Sequence, residues 1–268
     1  MTKLDLNLYS QKAKEFSYQS RIDIIETVYR VKGGHLGGSL SVIDILSSIY
    51  SFYEDYQYEL ILSKGHCILA WIITLLRVGE IEKKELISFY GENSKFGGHP
   101  KKGSSKSITW STGSLGHGLS VTCGKALAKP KKKFLCVLGD GELNEGSAWE
   151  ALMFLAQHNL KNVIVLIDNN KQESLAMTDE ILSIESLDKK IGGMKLKAER
   201  INGHEIDSLV EKIGGFLSEN IFEFPQVLIC DTVKGKGVSF MEKVPMWHHR
   251  KIKDFEYEIA LNELMRNP

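Results

Sequence analysis

Residues 134–170, FLCVLGDGELNEGSAWEALMFLAQHNLKNVIVLIDNN, decide the fold of this chain. Residues 134–138 and 163–167 are short apolar runs without polar alternation, which is typical of strands buried on both faces of a parallel sheet. Between them, from Leu143 to Asn159, apolar residues recur at helical spacing. The stretch therefore predicts a strand–helix–strand unit, and such crossovers are almost always right-handed.

Both predicted strands end in polar residues that suit a metal and a phosphate group. Gly139, Asp140 and Gly141 follow the first strand, and residues 168–170 (Asp-Asn-Asn) follow the second. Ligands of open α/β sheets bind at the carboxyl ends of the strands, so these residues should lie side by side. A carboxylate and an amide oxygen are donors that Mg²⁺ prefers. The glycines let a phosphate approach the backbone, and the next helix presents its positive end to it.

Composition excludes several classes of protein. The chain has 268 residues with 34 Lys+Arg and 34 Asp+Glu, so no net field attracts nucleic acid or an anionic membrane, and we expect neither as a partner. The length suits a single domain, residues 1–268. There is no apolar signal region at the start, and the longest apolar stretch, residues 68–76, is too short to span a bilayer. Four cysteines without CxxC spacing favour a cytoplasmic protein with reduced thiols.

The remaining segments alternate between helix and strand patterns. We predict further strands at residues 59–62, 195–201 and 227–230, and helices at 5–31, 42–52, 67–78, 82–90, 119–128, 206–217 and 254–265. Residues 33–39 are predicted to be a glycine-rich loop, after which Ser41 can cap the second helix. This alternation implies an α/β fold, a doubly wound and mostly parallel sheet with helices on both faces.

Three histidines stand in or beside glycine-containing loops. His35 lies within GGHLGG, His66 ends SKGH between a predicted strand and a helix, and His99 lies within GGHP. Such loops bring the backbone close to a ligand, although each one alone fits a hinge or a packed histidine equally well. Residues 112–118 (TGSLGHG) open the helix at 119–128 and form another candidate phosphate site.

Together these loops resemble the N-terminal, diphosphate-binding section of transketolase. The matching stretches run in order along nearly the whole chain: GGHLGGSLS (33–41), LSKGH (62–66), GGHP (97–100), STGSLGHGLS (111–120), GDGELNEGSAWEA (139–151), IDNN (167–170), NGHE (202–205), VKGKGVSFME (233–242) and WH (247–248). LSKGH favours transketolase over 1-deoxyxylulose-5-phosphate synthase. GGHLGGS and LSKGH together argue against the α subunit of 2-oxoacid dehydrogenases.

The resemblance implies a site for thiamine diphosphate (TPP) and a metal ion. Asp140, Asn170 and the backbone carbonyl of Gln172 would bind Mg²⁺, for which Ca²⁺ or Mn²⁺ should substitute. His35, His99 and His248 would line the substrate funnel as proton-transfer and hydrogen-bonding groups. The residues implied to bind the cofactor are His66, Gly113, Ser114, Leu115, Gly139, Gly141, Asn170 and His248.

Some positions depart from the family pattern or stay open. Family members usually carry Gln and, three residues later, Gly shortly after the metal-binding Asn, whereas this chain has Glu173 and Ala176. After Trp-His, where Gly is usual, it has His249 and Arg250. These changes could displace a loop, alter the thiazolium environment or fit a different sugar. His117 and His204 are open between a site role and a structural one.

The activity implied is transfer of a two-carbon ketol unit from a ketose to an aldose, with sugar phosphates as substrates. In the family, the Glu and the aromatic pocket for the aminopyrimidine come from a pyrimidine-binding domain on a partner chain, and this sequence lacks that domain. We therefore expect the N-terminal subunit of a split transketolase, assembled as α2β2 with a C-terminal subunit. The alternatives are a two-subunit enzyme for a modified or branched sugar and a non-catalytic TPP-binding subunit.

Overall fold

A parallel five-stranded sheet forms the centre of the fold in the computed structural model, which describes residues 5–174, 176–184, 186–218 and 222–266. Each pair of neighbouring strands is parallel, and Leu138 lies opposite Ile167 in the central pair. Because helices cover both faces, the predicted doubly wound parallel sheet is confirmed. The strand order is β1 (Tyr58–Leu62), β2 (Lys133–Gly139), β3 (Val163–Asn169), β5 (Gln226–Asp231) and β4 (Lys197–Asn202).

The helices pack in two layers around this sheet. The helices are α1 (Leu6–Val31), α2 (Leu36–Tyr50), α3 (Ile68–Arg77), α4 (Lys83–Ile87), α5 (Gly118–Ala128), α6 (Gly146–Gln157), α7 (Thr178–Ile181), α8 (Leu187–Gly192), α9 (Ile206–Ser218) and α10 (Asp254–Arg266). One core lies between the sheet and α1, α2, α3, α9 and α10, and the other lies between the sheet and α5, α6 and α8.

The strands contribute to both cores through alternate residues. Leu135 and Val137 of β2 face the first core, whereas Phe134 and Cys136 face the second. All four side chains are fully buried. A strand covered on both faces has no solvent side, which is why the sequence of β2 shows an unbroken apolar run.

Helix α2 starts earlier than the sequence predicted. It begins at Leu36 instead of residue 42, and all of its residues are buried. The glycines that suggested a loop serve close packing inside the helix. A Cβ at Gly37 would lie 3.0 Å from the backbone oxygen of Trp247, and one at Gly38 would lie 2.8 Å from Sγ of Cys67. The absence of a side chain permits both close contacts, and residues 36–39 form the first turn of the helix instead of the predicted loop.

The predicted cap of α2 was also wrong. Ser41 lies inside the helix and donates a hydrogen bond from Oγ to Oδ2 of Asp168 at 2.6 Å. The hydroxyl therefore links α2 to the end of β3. Its other contact, 3.0 Å to the carbonyl of Gly38 in the first turn, is not a cap, because a capping oxygen accepts a hydrogen bond from a helix amide.

Two other predicted helices are shorter in the structure. The segment predicted as one helix over residues 143–159 is a 3₁₀ turn, Gly141–Asn144, followed by α6. The helix predicted at 82–90 is α4, which ends at Ile87, and Tyr90 then takes a left-handed backbone conformation with φ of 64°. A second 3₁₀ turn, Gly65–Cys67, connects β1 to α3.

The cysteines match the expectation from sequence. All four cysteines are buried and free. Residues 129–131 are exposed in the connection from α5 to β2, and Lys132 pairs with Glu59 at 2.9 Å. Over the part of the chain that the structure describes, no helix is long and apolar enough to cross a membrane.

Candidate active site

A cleft with about 720 Å³ of empty space opens at the carboxyl ends of the strands. The turns after β1, β2 and β3, the start of α2 and the segments after β5 all contribute to its wall. The lining residues are Gly38, Lys64, His66, Gly113, Leu115, Gly139, Asp140, Gly141, Glu142, Asn170, Gln172, Glu173, Ser174, Lys234 and His248. Ser114 belongs to the same loop as Gly113, but it is exposed and does not line the cleft.

Three oxygen donors lie on adjacent turns of the cleft. Oδ2 of Asp140 accepts a hydrogen bond from the Lys171 amide at 2.5 Å. Oδ1 of Asn170 accepts one from the Gln172 amide at 3.1 Å, and the Gln172 carbonyl accepts one from Nζ of Lys234 at 3.1 Å. Carboxylate and carbonyl oxygens carry further lone pairs, so each group can also bind a cation.

The electrostatic environment of Asp140 favours a bound cation. Its side chain is buried, and burial together with the nearby Asp168 carboxylate raises the pKa of Asp140 to about 6, although Lys64 acts in the opposite direction. Among the described residues, no group of three or more His, Cys, Asp or Glu side chains could hold a metal alone. The donors therefore fit a hard divalent ion whose remaining ligands come from an anionic compound such as a diphosphate.

Asp168 forms a buried ion pair under the cleft. It bonds to Lys64 and Thr232 and accepts the hydroxyl of Ser41 at 2.6 Å, and it is completely shielded from solvent. Burial opposes ionisation, yet the Lys64 ammonium and the hydrogen bonds from Ser41 and Thr232 together outweigh it, so the pKa of Asp168 lies below its ordinary value. The charged pair fixes the ends of β1 and β3 relative to α2.

Glu142 joins three loops around the cleft. Its carboxylate bonds to the Ser63 hydroxyl, accepts the Gly116 amide at 2.8 Å and accepts the Gly139 amide at 3.3 Å. Burial raises the pKa of Glu142. The turns after β1 and β2 and the loop before α5 are therefore held together by a single buried side chain. Gly116 itself has φ of 78°, which favours glycine.

Five histidine rings gather at the mouth of the cleft. The His35 ring centroid lies 5.4 Å from that of His66, 6.0 Å from His99, 5.2 Å from His248 and 4.7 Å from His249. The rings of His66 and His248 are 5.5 Å apart. The three predicted funnel residues are thus brought together, although His35 and His99 lie beside the cleft and do not line its wall.

The inner imidazoles of this cluster are neutral near pH 7. Burial, followed by the charges of neighbouring histidines and of Lys234, lowers the pKa of His35 to about 4. Burial and Lys234 lower the pKa of His248 to about 3, and the pKa of His66 is also well below its ordinary value. Within the described part of the chain, Nδ1 of His35 and Nδ1 of His248 are buried and have no hydrogen-bond partner. Such groups are suited to sugar hydroxyls.

These lowered pKa values predict a loss of stability in mild acid. The unfolded chain takes up protons at His35 and His248 near pH 6.5, whereas the folded chain does so only near pH 4 and pH 3. The free energy of unfolding should therefore fall between pH 7 and pH 5, by roughly 1–2 kcal/mol for each histidine. Urea unfolding at both pH values should show a smaller fall for a His35→Asn, His248→Asn variant. An equal fall in that variant and in the control His158→Asn, at an exposed position, would contradict this.

Sequence reasoning missed four residues that contact the site. Lys64, Glu142 and Lys234 are buried polar groups on the cleft wall. His249 was noted only as a departure from a pattern, yet its ring is the closest of the four histidine rings to His35. The first three lie within the motifs LSKGH, GDGE and VKGKG, and each stands beside a glycine of a site loop. A charged residue at such a position could have been predicted from sequence to line the site.

Comparison with known proteins identifies the family. The profile described as "Transketolase, thiamine diphosphate binding domain" matches residues 13–261. The chain belongs to the transketolase N-terminal family. It is 36% identical over 245 residues to a protein of Actinobacillus succinogenes named as a subunit of apulose-4-phosphate transketolase, covering 87% of this chain and 88% of that one. It is 35% identical to the protein of the same name in Phocaeicola vulgatus, covering 92% of each chain.

Solved transketolase structures share the fold. The crystal structure of transketolase from Campylobacter jejuni superposes with a TM-score of 0.84 at 22% identity, covering 95% of this chain and 43% of that chain. A transketolase structure from Leishmania mexicana gives 0.80 at 18% identity, covering 95% of this chain and 44% of that one. This chain therefore spans less than half the length of these transketolases and corresponds to the TPP-binding section.

The departures from the transketolase pattern adjoin the cofactor cleft. Glu173 lines the cleft, and its Oε1 accepts a hydrogen bond from Nδ2 of Asn144 at 2.7 Å. Its amide bonds to the Ala176 carbonyl at 3.0 Å, which closes a tight loop. A Cβ at Gly141 would lie 2.7 Å from Cγ of Glu173, so this loop packs directly against the predicted diphosphate turn. The guanidinium of Arg250 stacks 4.1 Å from the Trp247 ring centroid.

The two histidines left open by sequence differ in their surroundings. His117 is exposed, and its Nδ1 lies 2.8 Å from the carbonyl of Leu115 within the loop before α5. That contact gives it a local structural role. His204 lies outside the cleft, where its ring contacts Asp44 and the amide of Val233.

Proposed function

We propose that this chain is the N-terminal subunit of a two-subunit transketolase, a transferase that moves a two-carbon ketol unit from a ketose to an aldose. The observation that supports this most strongly is the meeting of two sets of residues in one cleft. Oxygen donors for a metal-bound diphosphate lie at its base, and neutral imidazoles lie at its mouth. A subunit that only bound the cofactor would not need the second set.

The role of each set follows from its chemistry. Asp140, Asn170 and the Gln172 carbonyl would hold Mg²⁺, which neutralises the diphosphate. Bound TPP supplies the electron sink for breaking and forming a carbon–carbon bond. His35 and His248 carry free nitrogen atoms that can orient substrate hydroxyls and transfer protons from them. Since burial keeps both rings uncharged near neutral pH, each presents one N–H and one lone pair for hydrogen bonds to substrate hydroxyls.

A partner chain would complete the site. This chain provides diphosphate and metal groups on one wall, and the two relatives above are each named as one subunit of an enzyme, which implies a further subunit in those proteins. Exposed apolar side chains on α5 and α6 support contact there: Leu127, Met153 and Phe154 are 50%, 53% and 39% exposed. A permanent interface commonly buries more than about 2,000 Å². We propose an α2β2 assembly with a C-terminal subunit that carries the pyrimidine-binding domain.

A modified or branched sugar is the second candidate for the substrate. The two relatives above are named for apulose-4-phosphate, and a protein from Clostridium sp., 29% identical over 253 residues, is named for 6-deoxy-6-sulfo-D-fructose. His249 at the cleft mouth and Glu173 on its wall are the residues of this chain that could adapt it to such a sugar.

Four free cysteines support a cytoplasmic location.

Substitution of the mouth histidines tests catalysis separately from cofactor binding. His35→Ala and His99→Ala should leave TPP affinity within about threefold but lower the ketol-transfer rate roughly 10²- to 10⁴-fold, the usual effect of losing a positioned acid–base group. Both quantities would be measured with saturating Mg²⁺ in the presence of a C-terminal transketolase subunit. His158→Ala, at an exposed position directly after α6, serves as the control. A variant that loses TPP but keeps its rate at saturating cofactor would show that its histidine belongs to the cofactor site.

A further inference from the structure

His204 lies in the turn between β4 and α9, and its ring connects α2 to the segment that follows β5. Its Nδ1 lies 2.6 Å from Oδ2 of Asp44 in α2, and its Nε2 accepts a hydrogen bond from the backbone amide of Val233 at 2.8 Å. Val233 belongs to the segment that follows β5. Both ring nitrogens are therefore used in directional contacts with other elements.

The two partners of the His204 ring determine which of its nitrogen atoms carries the proton. Asp44 is 3% exposed and accepts two hydrogen bonds from Arg21, at 2.9 Å and 2.6 Å. Although burial opposes ionisation, Arg21 and His204 hold the pKa of Asp44 below its ordinary value. A carboxylate can only accept, so Nδ1 of His204 carries the proton. The amide of Val233 can only donate, so Nε2 must present its lone pair.

The turn that carries His204 packs closely against the end of β5 and the residues that follow it. A Cβ at Gly203 would overlap Cγ2 of Thr232 and lie 3.0 Å from Cβ of Cys230. The Gly203 amide also bonds to the Asp231 carbonyl at 2.8 Å. Only glycine fits here, and its presence brings the imidazole within hydrogen-bond distance of Val233.

Lys234, the residue after Val233, contacts the loop that carries the predicted metal ligand Gln172. Nζ of Lys234 donates hydrogen bonds to the carbonyls of Gln172 at 3.1 Å and Glu173 at 2.9 Å. On its other side, the amide of Gly235 bonds to the Gly37 carbonyl at 3.1 Å. The hydrogen bond between the Val233 amide and His204 therefore fixes the backbone position from which the Lys234 side chain extends.

We propose that His204 is a positioning residue that holds residues 233–235 so that Lys234 fixes the loop at 172–173 for metal-bound diphosphate. The proposal rests on the proposed function for its cofactor, but its geometry involves only residues of this chain. His204 itself does not line the cleft, so it acts through Val233 and Lys234 and not by touching a ligand.

Two substitutions separate the two contacts of the ring. The amide group of Asn reaches the position of Nδ1, so His204→Asn can keep the bond to Asp44 but not the one to Val233. The longer Gln side chain reaches the position of Nε2, so His204→Gln can accept from Val233 but loses Asp44. His158→Asn, at an exposed position directly after α6, is the matched control.

Calorimetric titration of this chain with TPP, at saturating Mg²⁺ and with a C-terminal transketolase subunit present, provides the first measurement. We expect His204→Asn to weaken TPP binding about 5- to 20-fold, the effect of losing one well-placed hydrogen bond, and His204→Gln to weaken it less than about threefold. Equal losses in both variants, or unchanged affinity in His204→Asn, would overturn the proposal. A purely structural role would lower the unfolding temperature of both variants without this difference in affinity.

Amide hydrogen exchange of the cofactor-free chain provides a second measurement that does not depend on TPP. His204→Asn should lose protection at Val233 and in residues 233–237, whereas His204→Gln and His158→Asn should retain it. Unchanged protection in His204→Asn would overturn the proposal. Failure of the unmodified chain to bind TPP, even with a C-terminal transketolase subunit present, would instead contradict the proposed function, and the exchange result would still decide the role of His204.

Discussion

Asp140→Ala is expected to abolish Mg²⁺-dependent binding of TPP. Among the metal-type oxygen donors of the cleft, Asp140 supplies the carboxylate, and the other two are an amide and a backbone carbonyl. Losing a charged ligand next to a diphosphate should cost several kcal/mol, which weakens binding by at least about 10²-fold. Titration of TPP with and without Mg²⁺ measures this. The alanine variant should show the same weak affinity in both conditions.

The fold should tolerate this substitution, so the loss of binding can be interpreted. Burial and the nearby Asp168 raise the pKa of Asp140 to about 6, which means that its charge opposes folding when no cation is bound. Relief of that charge offsets the loss of the hydrogen bonds from Gly141 and Lys171. We expect the unfolding temperature to stay within about 5 °C of the unmodified chain. Asp188→Ala, at an exposed position in α8, is the control, and Mg²⁺-dependent binding that persists in Asp140→Ala would contradict the metal assignment.

The second prediction with a large expected effect concerns the catalytic activity of this chain without a partner. The isolated chain should show no ketol transfer even with saturating TPP and Mg²⁺. The described cleft walls supply metal donors and imidazoles, while the remaining acids on its wall, Glu142 and Glu173, already bond to neighbouring groups. We therefore expect the acid that serves the aminopyrimidine ring to come from a partner chain. Turnover of a ketose donor with an aldose acceptor, together with the mass from light scattering, measures this prediction.

Activity of the isolated chain would contradict the proposal of two subunits. Full turnover by a homogeneous preparation would show that the carboxylate needed by the aminopyrimidine lies in this chain. A variant with Met153→Asp and Phe154→Ser, on the exposed face of α6, provides a useful comparison. It should retain TPP binding and fail to associate with a partner, since an interface of this type depends on apolar burial.

The positions of the cleft and of Asp140 and Asn170 beside it could be predicted from sequence because they follow from strand ends. Two unbroken apolar runs identified β2 and β3, and parallel pairing necessarily brings the residues after them to the same edge. Gly139 lies opposite Asp168 in the structure, so Asp140 and Asn170 lie at the edge of the sheet that the local pattern and this topological rule predicted. Their role as metal ligands stays a prediction.

The start of α2 could not be predicted from local pattern because its glycines serve tertiary contacts. Gly37 and Gly38 resemble loop residues in sequence, but they lie in a helix packed against Trp247 and Cys67, far along the chain. Helix propensity counts against glycine, and tertiary packing overrides it here. The same limit explains why His249 was missed, since its approach to His35 depends on two loops that only the fold brings together.

The most direct test of the central claim is a reconstitution titration. Ketol transfer would be measured at fixed concentration of this chain, saturating TPP and Mg²⁺, and increasing amounts of a C-terminal transketolase subunit from the same organism. A two-subunit transketolase predicts no activity at the start, a rise with added partner and saturation near one partner per chain. Activity that is already complete without the partner, or none from a mixture that demonstrably forms a complex, would contradict the proposal.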